Sequence, residues 1–405
     1  MMKIKTLFSL IFVLLADSLC GQENIDSPAS VFGIGDIQLM EGGRTAGMAS
    51  AALSLSGSYF LNTTNPAALS HIDSTNFIFD IVISSRKSQF SYRNLSEKAF
   101  SANVTRIATG FRFSKRLAGA VSFKPYSTVS YHIDKYITKE GTDSKVLGEY
   151  EGSGGINQLS LLNSYKITNK LSLGSELMYL YGTINRTTEL EGVNIIKESV
   201  THTFSFSTGM LYRDKLNDNL DLSAALVYGS GNSFRFKNTM NILDIEGNNI
   251  FFNKNASSDI KIPQSIGAGI SVSGSRLLVS TDYYFRKKMS SLSDNSGIRF
   301  ADTKKINFGL AFIPVKYPAN YFEAIEYQAG FSFSNSYQIQ NGINPHNVEV
   351  SAGAALPIRG NSQLNLAFSW GRRGIERTGI IREDYFRVSL GFSLVDRMFI
   401  RSLYY

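Results

Sequence analysis

Ser265-Ile266-Gly267-Ala268-Gly269-Ile270-Ser271-Val272-Ser273 decides the fold. In an extended chain Ile266, Ala268, Ile270 and Val272 share one face, and Ser265, Gly267, Gly269, Ser271 and Ser273 share the other. The same split recurs where Leu364, Leu366, Phe368 and Trp370 alternate with Asn365, Ala367, Ser369 and Gly371. It recurs again where Val388, Leu390, Phe392 and Leu394 alternate with Arg387, Ser389, Gly391 and Ser393. A soluble sandwich also alternates, so strand length and connections discriminate. Ser199 to Arg213, Leu171 to Asn185 and Ile325 to Ser336 exceed the ~5–6 residues of an ordinary strand and reach the ~9–11 that a tilted membrane strand needs. Lys115-Arg116, Thr168-Asn169-Lys170 and Ser273-Gly274-Ser275 are tight turns, whereas Thr138 to Gly155 and Ser290 to Thr303 read as long polar loops. The expected fold is therefore all-β, a transmembrane antiparallel β-barrel with apolar residues outward.

Composition agrees. Of 405 residues 43% are hydrophobic and 18% charged, with 8 prolines, so the chain is folded and no linker divides it. Lys3 and Lys5 precede the apolar run Leu7 to Leu15, the order of a secretory signal, with cleavage expected before Gln22. That removes Cys20, the single cysteine, and with it disulfide and thiolate chemistry. No later run reaches ~18 apolar residues, so a membrane-bound mature chain has to be a barrel. The net charge of +8 is scattered singly between acidic residues, which argues against nucleic acid. Twenty tyrosines and 28 phenylalanines, such as Tyr179, Tyr181, Tyr283 and Phe285, suit interfacial girdles. Phe399, Leu403 and Tyr405 end the chain on one aromatic-rich face, which Arg401 interrupts.

Ser27 to Leu69 alternates poorly and is rich in Gly, Ala and Ser. It reads as an insert that folds back into the lumen, with a short helix over Ala46 to Leu55 and a turn at Asn65-Pro66. The expected division is 1–21 signal, 22–70 hatch and 71–405 barrel.

Three regions carry a family resemblance. Gly42-Gly43-Arg44-Thr45-Ala46-Gly47-Met48-Ala49-Ser50-Ala51 followed by Asn65-Pro66-Ala67-Ala68-Leu69 resembles the hatch of the FadL-type outer-membrane transporters of long-chain fatty acids and other hydrophobic compounds. Ile262-Pro263-Gln264-Ser265-Ile266-Gly267-Ala268-Gly269-Ile270 running to Asp282-Tyr283 is similar to a strand pair in that family's second half, and Val31-Phe32-Gly33-Ile34-Gly35-Asp36 resembles a subgroup common in Bacteroidetes. The resemblance implies about fourteen strands. Ser70 to Tyr405 leaves 336 residues, or 24 per strand and connection, and sixteen would also fit. It further implies a Gram-negative outer-membrane location and passive transport of a hydrophobic small molecule, with membrane lipid and that ligand as partners. Gly42, Gly43, Gly47, Asn65, Pro66 and Ala67 would form the hatch motif, and Met48, Leu53, Leu55, Phe60 and Leu61 are candidates to line the pocket. A FadL-like barrel is also found in the Bacteroidetes secretion machinery. The alternative is therefore a non-transporting subunit of a surface secretion or assembly machinery, with a protein partner at the long loops or periplasmic face.

Other chemistry is sparse. His71, His132, His202 and His346 stand apart, so no metal site is expected. No nucleophile elbow or phosphate loop occurs, and Gly152-Ser153-Gly154-Gly155 reads as a flexible loop, so neither catalytic residues nor a cofactor is expected. Asp282 and Arg286 share a strand face opposite Tyr283 and Phe285 and should point into the lumen. A gating role for them needs a hatch partner, for which Arg44 and Asp36 are the candidates.

Overall fold

A computed structural model describes residues 28–38, 42–93, 95–139, 141, 143–291, 299–315, 317–339, 342–358, 360–374 and 381–397. Its wall has fourteen positions: β1 Asn76–Tyr92, β2 Leu95–Arg112, β3 Leu117–Thr138, β4 Lys145–Lys166, β5 Leu171–Leu190 and β6 Val193–Asn217. Next come β7, Leu220–Gly229 continued as Asn232–Leu243, and β8, Asn249–Ile262 continued as Ser265–Ser273. The circuit ends with β9 Leu277–Arg286, β10 Thr303–Phe312, β11 Glu326–Asn335, β12 His346–Pro357, β13 Gln363–Arg373 and β14 Arg382–Arg397. Neighbours pair antiparallel, and β1 closes on β14 from Asn76↔Arg397 to Ser91↔Arg382. The count is fourteen because both halves of β7 lie against β6, and β8 repeats the break at Pro263, which has no amide for the ladder.

Alternation sets the two faces. Ile270 and Trp370 are each 52% exposed on the outside, while Ser271 and Ser369 are buried inside. Tyr179 and Tyr181 stack outward with rings 5.3 Å apart. We term the end where β1 begins and β14 finishes the base, and the other the top. The wall is uneven. Strands β3 to β6 have 20–25 residues, but β9 to β13 only 10–12. At ~3.3 Å per residue the longest strand spans ~80 Å, so one side stands far above any bilayer.

Three expectations change. Thr138 ends β3 and β4 already begins at Lys145, so Gly152-Ser153-Gly154-Gly155 belongs to the β4 wall. These glycines serve contact, since a Cβ on Gly152 would lie 2.1 Å from the Tyr131 ring. Ala46 to Leu55 is not a helix. A 3₁₀ turn, Gly43–Met48, stops at left-handed Ala49 and Ser50 (φ 51° and 60°), and the amides of Ala52 and Leu53 bond a wall carboxylate instead. Sixteen strands are excluded. The signal 1–21 and Phe399, Arg401, Leu403 and Tyr405 lie outside the described residues.

Candidate functional site

Before entering β1 the hatch makes one circuit of the lumen, visiting the strands in descending order. Gly43 meets β14 at Gly391, Gly47 meets β12 at Gly353, and Met48 meets β11 and β10 at Gly330 and Gly309. Leu53 reaches β8, Asn65 reaches β6 at Gly209, and Ala67 reaches β5 at Gly174. The approach is backbone to backbone. A Cβ on Gly330 would lie 2.3 Å from the Met48 carbonyl carbon, and one on Gly174 would lie 2.3 Å from the Ala67 nitrogen. Hydrogen bonds follow the same route. Ser351 Oγ accepts from Ala49 N (2.9 Å) and donates to Gly47 O (2.9 Å), while Ser164 Oγ donates to Ala67 O (2.9 Å). Asn65 is the pivot: its Oδ1 accepts from Ala67 N (3.0 Å) and its Nδ2 donates to Leu53 O (2.9 Å), capping the turn Pro66–His71. That turn crosses the expected 70/71 boundary. Burial, with Arg213, Lys166 and Arg112 nearby, pushes the His71 imidazole down to about 4.

The five apolar hatch residues dock this ring onto the wall in three separate patches. Met48 and Leu55 meet Ala311, with Phe60 packed beside them. Leu53 packs with Ala67, Leu211 and Val227, and Leu61 with Leu69, Ile72, Ile78 and Leu162. Leu53 alone of the five also lines the 180 Å³ cavity above the hatch. Asp282 and Arg286 do face the lumen. Asp282 Oδ2 accepts from Ala52 N (2.6 Å) and Leu53 N (3.0 Å), whereas Arg286 Nη2 donates to Tyr284 OH (3.3 Å). The circuit carries the gating candidates elsewhere. Arg44 pairs with Glu326 on β11 (2.6 Å), and Asp36 pairs with Arg373 on β13 (3.2 Å) and Arg86 on β1 (3.8 Å).

Above the hatch lies a cavity of about 180 Å³, whose lining carries Lys124, Arg286 and Lys305 together with Glu176 and Asp282. Glu176 is hydrogen-bonded by Gln158 (3.1 Å) and Ser207 (2.8 Å). Met178, Leu180 and Ile262 lead from this charged floor to an apolar cluster on the inner face of the tall wall, including Val129, Tyr131, Ile156, Phe234 and Phe236. Ile34 and Ile37 fill that cluster. They sit on a strap that pairs Asp36↔Thr128 and Ile37↔Ser127 on β3. Gly35 permits the contact, since at φ 94° a Cβ there would stand 2.1 Å from Thr128 O. In the sequence, Ile34 and Ile37, spaced around Gly35, are the signal of this strap.

The strap lies beside a gap. β2 pairs with β3 only from Ile107↔Phe123 to Arg112↔Ala118. Above that, among the described residues, Leu95–Arg106 pairs only with β1, and on the β3 side 124–138 pairs with β4 and the strap. Pro125, with the bulge that follows it, marks where the ladder stops, and this proline was the signal that sequence reading missed. A second cavity, of about 70 Å³, borders the gap between Asn103 and Thr105 of β2 and Pro125 and Thr128 of β3. Gln38 and Ser50 line both cavities.

A model of the family described as BamG matches residues 2–405. Among solved structures, the toluene transporter TodX of Pseudomonas putida is 15% identical, with a TM-score of 0.59 over 89% of this chain and 99% of that one. The toluene transporter TbuX of Ralstonia pickettii is 13% identical, with a TM-score of 0.58 over 87% and 98%. A FadL homologue of Pseudomonas aeruginosa is 14% identical, with a TM-score of 0.55 over 89% and 98%. These structures share the fold. No curated protein matches the sequence.

Proposed function

The chain belongs to the BamG family, and on that premise we propose that it is a passive outer-membrane passage for hydrophobic small molecules, long-chain fatty acids among them. The observation that carries the reading is the pairing of a base filled by the hatch ring with a β2–β3 ladder that, among the described residues, stops at Ile107↔Phe123. An apolar molecule entering from the top partitions onto the tall wall's apolar face. The ring blocks travel along the axis, so the molecule leaves sideways past Gln38 into lipid. The three cations of the 180 Å³ cavity suit a carboxylate head beside an aliphatic tail. The likeness in fold to toluene transporters supports the same class of cargo.

A second reading, a barrel subunit of a surface secretion or assembly machinery, draws on a different feature. On β8 the stretch Asn249 to Asp259 pairs with β7 on one side and, among the described residues, has no strand on the other. Such an edge is a template for a strand from another chain. Purification from detergent-solubilised membranes, with lipid extraction, separates the readings. Bound fatty acid supports passage; a stoichiometric protein without lipid supports the subunit and sinks the transport reading.

A further inference from the structure

At the base of the tall side the β2–β3 turn (113–116) and the β4–β5 turn (167–170) lie side by side, with Lys166 N donating to Arg116 O (2.8 Å) and Arg213 N to Lys170 O (2.8 Å). Six cations gather there, and three of them are engaged. Lys170 pairs with Asp214 (2.7 Å), Arg213 pairs with Asp221 (3.1 Å), and Arg112 donates to the carbonyls of Ser114 and Lys115. Among the described residues no carboxylate pairs with Lys115, Arg116 or Lys166. Arg213, Lys166 and Arg112 turn to the lumen side, where with burial they keep His71 of the hatch neutral, and Lys115 and Arg116 are left exposed on the outer side of the turn.

The cations have apolar company. Phe113, Leu117, Tyr165, Ile167 and Tyr212 are exposed around them, and Leu117, Tyr165 and Tyr212 continue directly into the outward face of β3, β4 and β6. Positive charge just beyond an aromatic rim, continuous with a greasy wall, lies at the depth of lipid headgroups. A protein-docking patch would instead extend past the turns, away from the lipid face.

We propose that this face of the base binds anionic phospholipid, with Lys115 and Arg116 taking the phosphodiester head and Phe113, Leu117 and Ile167 lying along the acyl chains. The inference rests on the reading that the barrel spans a membrane. Its consequence is that one sector of the wall, beside the β2–β3 gap, carries a bound lipid of defined charge.

The test reconstitutes the full chain in phosphatidylcholine bilayers with trace spin-labelled phosphatidylglycerol or phosphatidylcholine, and reads their relative association with the protein. A preference of about fivefold for phosphatidylglycerol is expected at low salt. It should fall towards one in 1 M salt and in the double variant K115Q/R116Q. K254Q, at the top, should leave it unchanged. Equal association in the native chain, or a preference that survives the double substitution, overturns the proposal. So does salt-sensitive binding of polyglutamate without lipid preference, which would mark a protein-docking face. Absence of any motionally restricted lipid would instead overturn the membrane-spanning reading itself.

Discussion

At the base, the backbone of Met48 presses so closely on Gly330 that no side chain fits between them, whereas higher up the gap-side edge of β3 pairs, among the described residues, with the strap Asp36–Ile37 in place of β2. Both regions use glycine and small polar residues. At the base they let hatch and wall backbones touch at β14, β12, β11, β10 and β5; higher up they let one strap lie on an apolar sheet whose ladder, among the described residues, does not continue onto β2. The same composition therefore serves tight packing at one end and an interrupted ladder at the other, and which outcome follows depends on whether the facing strand continues its pairing.

The strongest way to break this contrast is to force a side chain into the ring. Gly330→Val should cost about 3 kcal/mol, because the clash is with backbone that has no rotamer to yield. The midpoint of heat-modifiability on detergent gels reads it; an unchanged midpoint would mean that the hatch is held loosely.

Charge on the outer face sharpens the contrast next. Ile270→Arg, on the lower half of β8, should cost ~2–4 kcal/mol in lipid, but Val200→Arg on the upper half of β6 should cost ~0–1 kcal/mol, since that sheet stands clear of the bilayer. Urea titration of the protein in vesicles makes the comparison. Equal costs would place both halves in the same medium.

The smallest effect concerns pH. His71 titrates at about 4 in the folded hatch against 6.5 for the free side chain, so the unfolded hatch binds a proton first as the pH falls. Its contribution is complete above 6.5 and lost as the pH drops through 4. Hydrogen exchange over 66–72, corrected for intrinsic rates, should show falling protection across that window, and His71→Gln should flatten the change. A flat profile in the native chain would contradict the buried, cation-surrounded imidazole.

The wall was legible in the sequence because alternation reports directly on which face meets lipid: Ile266, Ile270 and Phe368 point outward as their spacing requires. The Asn65-Pro66-Ala67 hatch turn was legible too, since capping and proline chemistry are local. Gly152 to Gly155 misled because glycine written in a row is the same for a loop and for a strand pressed against Tyr131. The partners of Arg44 and Asp36 were out of reach for a different reason. They follow from the circuit of the hatch, which brings residue 44 to residue 326 and residue 36 to residue 373, and no local pattern encodes such distances along the chain.

The central claim is that cargo leaves through the side of the wall and not past the hatch. Asn103 lines the 70 Å³ cavity at the gap and lies on β2 above Ile107, where the printed β2–β3 ladder ends among the described residues. In vesicles loaded with an acceptor for oleate, Asn103→Trp fills that cavity and should slow uptake at least about tenfold, a change of roughly 1.4 kcal/mol in the barrier. The barrel should keep its native heat shift. Uptake at the native rate in a correctly folded Asn103→Trp variant would contradict the account.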